Sequence, residues 1–395
     1  MKFEQHWQLN PELTFLNHGC FGAVPRVVMQ AVRSWREELE SDPIHFLAPE
    51  RELEPKLDHV RSLLGDLVGA EPANLAFVRN ATDGVNAVLR SMGLSEGDEV
   101  LITNHGYNAC NNVARYVAER SGATVQIAEI PYPLSRSEQI LDAVEEKLSS
   151  RTRLVLVDHV TSPTALIFPV KQIVELTHDR GARVMIDGAH AAGMLSLQVE
   201  QIGADYYTAN HHKWLCSPKV SGFLYVNPRW QDEVQPTVIS HSYNRPRNNR
   251  SAWQSSFDWV GTYDPTPILA IPTAVDFLSS LFADGFQGYL RRNHDHLLKA
   301  RDLICQSMSI GSPAPDSMLG SMLAVPLDAV LPEQVESLGQ RLRKEFGIEI
   351  PVYPGLTDAE DQPAGQPMMR ISMQVYNTIE DIERLRVALQ KIGLV

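Results

Sequence analysis

Lys213 stands in the stretch Ala209-Asn-His-His-Lys-Trp214, between two apolar runs, 204–208 and 220–225, that both read as short strands. Lysine is ordinarily a solvated surface residue, and an exposed loop lysine is the plain reading of this one. Its company changes that reading. Upstream, Met185-Ile-Asp-Gly-Ala-His190 has the form of a strand that ends in a carboxylate and continues in small residues. An aspartate so placed can bind a metal, act as a base, or hold a protonated ring nitrogen. A lysine amine can attack a carbonyl and then, once freed, move a proton. The chain between Asp187 and Lys213 is long enough for two strands and their connections, which would return it to the same sheet edge.

Such residues need a scaffold that fixes their positions. From about residue 70 to 230, β-rich runs at 75–78, 99–103, 124–130, 154–158 and 183–187 alternate with helical patterns at 83–92, 108–121 and 170–180. The run 154–158 is almost wholly apolar, as a strand covered on both faces should be. Gly181 closes the third helix as a C-cap. Repeated β-α-β units of this spacing predict an α/β domain with a mainly parallel sheet flanked by helices. In such sheets function gathers at the carboxyl edge. Asn80, Asp158, Asp187 and Asn210 all fall at predicted strand ends. Residues 227–273 are loop-rich and carry six prolines between Pro228 and Pro272. Beyond them, helix at 268–308, strand at 321–326, helix at 332–346, strand at 369–374 and helix at 379–392 suggest a smaller α+β domain. The expected division is an N-terminal segment 1–20 that reaches the site, a large domain 21–270 and a small domain 271–395.

Composition narrows the partners. The chain has 395 residues, 44% hydrophobic and 21% charged, which excludes a disordered chain. A formal charge of −13 repels nucleic acid and anionic membrane, so neither is expected as a partner. Cys20, Cys110, Cys216 and Cys305 are scattered and form no CxxC pair, which disfavours a structural zinc site. The start is polar, and no apolar run of about 18 residues occurs. The expectation is a reduced, soluble, cytoplasmic protein.

In order along the chain, Leu16-Asn-His-Gly19, Asn80-Ala-Thr-Asp-Gly-Val-Asn86, Asp187-Gly-Ala-His190, His212-Lys-Trp214, Gly261-Thr262 and Arg370 resemble the class V aminotransferase branch of fold-type I pyridoxal phosphate (PLP) enzymes. Within that branch the chain is similar to the isopenicillin N epimerase-like group, near the cysteine desulfurases and C–S lyases. The resemblance covers essentially the whole chain. It implies a seven-stranded sheet, pyridoxal 5′-phosphate as cofactor, no metal, a small amino-acid-type substrate and a homodimer with shared sites.

The same resemblance assigns roles. Lys213 carries the cofactor through an imine bond and moves the Cα proton, the catalytic step. Asp187 keeps the pyridine nitrogen protonated, and His190 meets the phenolic oxygen. Ala81 and Thr82 lie where a strand turns into a helix, so their N–H groups face the phosphate; Thr82 alone would read as a simple N-cap. Asn210 and His212 complete the phosphate cup. Tyr107 stacks on the ring, with His105 as the alternative. Thr262 is lent to the phosphate by the partner subunit. Arg370 clamps the substrate carboxylate through its planar fork, and Asn17 and His18 close over the substrate.

Departures from the pattern are informative. The stretch 348–369 lacks the nucleophilic cysteine of common desulfurases, so persulfide formation there is not expected. Cys216 reads as packing. Ser162 stands where many desulfurases have asparagine and is expected to face the cofactor. Arg245, Arg247 and Arg250 could bind a second carboxylate, but a solvated loop is the preferred reading. After Cα deprotonation, epimerisation is the outcome most like the resembled group, with α,β-elimination or transamination as alternatives. A metal-dependent hydrolase using Asp187, His190, His211 and His212 is disfavoured, because adjacent histidines in an extended segment point to opposite faces. A non-catalytic PLP-binding protein is the remaining reading.

Overall fold

The computed structural model describes residues 3–247, 249–357 and 363–395. Its larger sheet has seven strands: β1 (Leu75–Val78), β2 (Glu99–Thr103), β3 (Thr124–Ala128), β4 (Thr152–Asp158), β5 (Arg183–Asp187), β6 (Tyr206–Asn210) and β7 (Gly222–Val226). Their order is β1-β7-β6-β5-β4-β2-β3, and β7 alone runs antiparallel to its neighbours. The central strands are buried almost without interruption, which explains their unbroken apolar sequence. Edge strand β3 is half-exposed and more polar. This is the α/β architecture that the β-α-β spacing predicts.

Helices cover both faces. The helix Ala81–Ser91 follows β1 directly; its N-cap is Asn80, whose Oδ1 accepts from the Asp83 N–H at 2.9 Å. Gly84 lets this helix lie against β6, since a Cβ there would come within 2.3 Å of the Thr208 hydroxyl. Two long helices, Arg26–Ser41 and Glu54–Val68, precede β1 in a region where no elements were expected.

Two boundaries differ from expectation around the lysine. The strands form at 206–210 and 222–226, about two residues later than expected. Asp205 is fully buried and accepts from the Val184 N–H, Trp230 Nε1 and His178, so it anchors the strand's entry and is not part of its ladder. Val220 is 60% exposed with φ +69°, a conformation a strand cannot contain. The expected helix 268–308 is broken. Ile271–Ser280 and Gly285–Met308 are separate, with Gly285 at φ +64° in the turn. The loop-rich stretch 227–273 contains a buried helix, Ala252–Asp258.

A second, antiparallel sheet follows: β8 (Met322–Pro326), β9 (Val352–Tyr353) and β10 (Met368–Ser372), ordered β9-β10-β8. The N-terminal residues Thr14–Phe15 pair in parallel with Ile348–Glu349, so the start of the chain joins this end of the molecule. Among the described residues no single helix is long and apolar enough to cross a membrane.

Candidate active site

The carboxyl ends of β4, β5 and β6 bring Asp158, Asp187 and Asn210 to one edge, and the loop after β6 brings Lys213 over them. Asp187 is buried; its Oδ1 accepts from the Ala189 N–H at 2.9 Å and its Oδ2 from the Cys110 thiol at 3.1 Å. Burial pushes the Asp187 carboxyl above the usual carboxylate range. Asp158 is pushed well above it, first by burial and then by the charge of Asp187.

Lys213 is half-buried overall and opens on a cleft, with its amine 3.0 Å from His190 Nε2. The other ring nitrogen, Nδ1, accepts from Trp214 Nε1 at 3.4 Å. That donor fixes the neutral tautomer with hydrogen on Nε2, so His190 donates and the lysine nitrogen accepts. An accepting lysine is an unprotonated one, the form taken above the amine's own pKa. Desolvation, then the charge of Arg370, lowers that Lys213 pKa to about 8. Burial, then the charge of Lys213, holds His190 well below its ordinary value. The arrangement eases loss of the amine's proton, and the free amine is the nucleophilic form.

Across the cleft lies Arg370, 1% exposed. Its Nη1 donates to the Ser162 carbonyl at 2.5 Å and to the Ser162 hydroxyl at 3.2 Å, and its Nη2 reaches Cys20 Sγ at 3.1 Å. Its Nε is buried without a partner among the described residues, and its guanidinium lies 5.4 Å from the centre of the Tyr353 ring. The cleft has a volume of about 440 Å³, and Lys213, Arg370, Ser162, Tyr107, Cys20 and Tyr353 contribute to its walls.

At the other end, the Ala81 N–H donates to Asn210 Oδ1 at 2.9 Å, which places the first turn of its helix against the end of β6. Gly222 permits this approach, since a Cβ there would come within 3.2 Å of Asn80 Cα. His212 Nδ1 is buried with no hydrogen-bond partner among the described residues.

The structure brings together Lys213, Asp187 and His190, then Tyr107, Ser162 and Arg370 on the cleft, and it sets the helix start Ala81–Thr82 against Asn210 at the end of β6, with His212 on the loop before Lys213. It also separates the two candidates for stacking. Tyr107 lines the cleft, whereas His105 is fully buried, with Nδ1 at 2.7 Å from the Thr164 hydroxyl and Nε2 at 3.0 Å from the Ile130 carbonyl. Ser162 does reach the cleft, but its oxygens are engaged by Arg370.

Other expectations need correction. The Ala81 N–H is taken by Asn210, and the cap of its helix is Asn80, not Thr82. His18 does not face the cleft: Nδ1 meets the Tyr376 hydroxyl at 2.8 Å and Nε2 the Lys213 carbonyl at 3.0 Å. It anchors the lysine loop. Asn17 donates to Glu349 Oε1 at 3.0 Å, and it too stays off the cleft walls. Thr262 is exposed and does not line the cleft of its own chain. Arg247 and Arg250 are not a solvated loop: Arg247 pairs with Glu50 and Glu54, and Arg250 pairs with Glu54, Asp58 and Asp258.

Residues 22–385 match the family model for aminotransferase class-V. The chain belongs to that family. Among curated relatives, it is 32% identical to a probable chloroplastic L-cysteine desulfhydrase of Arabidopsis thaliana, across 100% of this chain and 85% of the relative. It is also 32% identical to the isopenicillin N epimerase of Streptomyces clavuligerus, across 97% and 96%. Among solved structures, the cystine C–S lyase C-DES in complex with cysteine persulfide superposes with a TM-score of 0.78 at 19% identity, covering 96% and 97%. The cysteine desulfurase CsdA of Escherichia coli gives 0.78 at 19%, covering 100% and 98%. At that identity the structural likeness speaks to the fold.

Class-V membership brings pyridoxal 5′-phosphate as the cofactor. The residues present fit it: a buried amine of lowered pKa, a carboxylate at a strand end, a helix N-terminus at Asn80–Ala81 against Asn210, and a buried His212 Nδ1 with no hydrogen-bond partner among the described residues. Several contributors to this class-V site escaped the sequence reading. Cys20 follows the matched Asn17-His-Gly19 by one residue, and Cys110 falls three residues after Tyr107 on the first turn of a helix. Those spacings were available signals. Tyr353 and the role of Trp214 toward His190 left no local trace.

Proposed function

We propose that this PLP-dependent class-V enzyme removes the Cα proton of an amino acid held by its carboxylate. The observation that carries the reading is the Lys213 amine, its pKa lowered to about 8, held against His190 and facing Arg370 across one cleft. Bound PLP supplies an electron sink for the charge left on Cα. Lys213 holds the cofactor and, when released from it, takes and returns the Cα proton. Asp187 keeps a cation at the ring nitrogen. Tyr107 covers one face of the ring, and His190 orients the oxygen side. His212, Asn210 and Thr82 receive the phosphate, with Thr262 supplied by the partner subunit of a homodimer. Arg370 binds the α-carboxylate by exchanging its contacts to Ser162 and Cys20 for bidentate ones.

Epimerisation is the outcome put forward. It requires a proton carrier besides Lys213, and the Tyr107 hydroxyl opens on the same cleft. Elimination at Cβ is the second reading, favoured by the equal identity to a desulfhydrase-named relative. The test incubates the holoenzyme with single-enantiomer amino acids in deuterated water. Inverted product with deuterium at Cα supports epimerisation. Pyruvate with sulfide from cysteine, without inversion, replaces that reading with the lyase, and an oxo-acid formed with loss of the amino group to the cofactor replaces it with a transaminase. Lys213→Ala should abolish exchange; deuterium incorporation by that variant would remove the whole proposal.

A further inference from the structure

Beside Asp187 lies a second acid to which no role has been given. Asp158 and Asp187 end adjacent parallel strands and are register partners. Paired residues of a parallel ladder turn their side chains to the same face, roughly 4.8 Å apart. Both are buried, at 4% and 2% exposure. Among the described residues neither forms an ion pair. The groups that face them are the Lys213 amine, which forms no ion pair with either, the Cys110 thiol, the Ser162 backbone, and the tyrosines Tyr107 and Tyr207. Arg370 is committed to Ser162 and Cys20.

Two neighbouring carboxylates in such a place do not both ionise. The donor sets decide which keeps the charge. Asp187 receives two close donors, one on each oxygen. Asp158 receives backbone N–H groups only, that of Tyr107 at a long 3.4 Å and that of Ser162. We propose that Asp158 is a neutral carboxylic acid at neutral pH, a positioning residue that shares its proton with Asp187 and leaves the floor of the site with one negative charge. One charge is the complement of one cationic ring nitrogen. The inference rests on the placement of Asp187 beneath the ring, but its test does not use turnover.

Infrared difference spectra of the holoenzyme at pH 7 should show a protonated-carboxyl C=O band that shifts on deuteration and disappears in Asp158→Asn. Asparagine keeps the oxygen that accepts from Tyr107 and remains neutral, so this variant should hold PLP within about threefold of wild type, with its visible band unmoved. Asp158→Ser serves if the asparagine variant does not fold; it also must lose the infrared band. Absence of the band from wild type, its persistence in either variant, or a cofactor affinity lowered more than tenfold in Asp158→Asn would overturn the proposal. Failure of the proton-transfer reading would appear separately, as deuterium exchange by Lys213→Ala.

Discussion

Glu54 and Asp258 lie as deep in this molecule as Asp158 and Asp187, yet the two settings differ in one respect. The first pair is packed among Arg61, Arg247 and Arg250, with Arg61 at 2.5 Å and Arg250 at 2.6 Å from Asp258. The second pair is hydrogen-bonded by backbone N–H groups and the Cys110 thiol and, among the described residues, has no ion pair. Where opposite charges meet internally, the cluster ties helix Ala252–Asp258 and the preceding loop to helix Glu54–Val68, and the contribution is structural. Where the countercharge is missing, the fold carries a cost that a cationic ligand can remove.

The difference can be tested by removing one member from each region. Lys213→Ala should have the largest effect, eliminating the visible cofactor band and turnover together; absorbance on the purified variant checks it. Asp187→Ala should lower kcat/KM by about a thousandfold, about 4 kcal/mol, while the stability of the cofactor-free protein in urea holds or rises. Asp258→Ala should do the reverse. It leaves Arg61 and Arg250 buried without their shared carboxylate, a loss of about 3 kcal/mol or more in stability, with kcat per bound cofactor retained. A loss of folding stability in the first variant, or of turnover in the second, would erase the distinction.

Smaller effects sharpen it. Arg370→Ala should raise KM for carboxylate substrates by about 30-fold, or about 2 kcal/mol for a charged hydrogen-bonded contact, with kcat less affected. The pH dependence of cofactor capture has a definite sign. Burial lowers the Lys213 pKa to about 8, and the neutral amine is the reactive form. Capture of PLP by the stripped protein should therefore be flat above about pH 8 and slow by about tenfold per unit below it, as followed by stopped-flow absorbance.

The catalytic edge was legible because regular elements carry it. Strands at 99–103 and 183–187 and helices at 108–121 and 379–392 form where periodicity puts them, and Asp187 inherits its position from one of these strands. The substrate wall was less so. Cys20, Ser162 and Tyr353 come from a one-turn helix, a loop and a two-residue strand, placed by contacts across hundreds of residues that leave no local pattern. His18 shows the same limit from the other side: its residue type and matched motif pointed to the substrate, and only tertiary packing turns its ring toward Tyr376. The arginine loop misled because 245–250 looks hydrophilic, while its countercharges lie near residue 54 and at Asp258.

That histidine has a practical corollary. Its Nε2 holds the Lys213 carbonyl, and Gly22 is so close to the His212 carbonyl that any side chain there would overlap it. The first strand, Thr14–Phe15, is meanwhile stitched to Ile348–Glu349. Removal of the segment from this strand through Gly22 should therefore loosen the loop that carries the reactive amine, though nearly two hundred positions separate them in sequence.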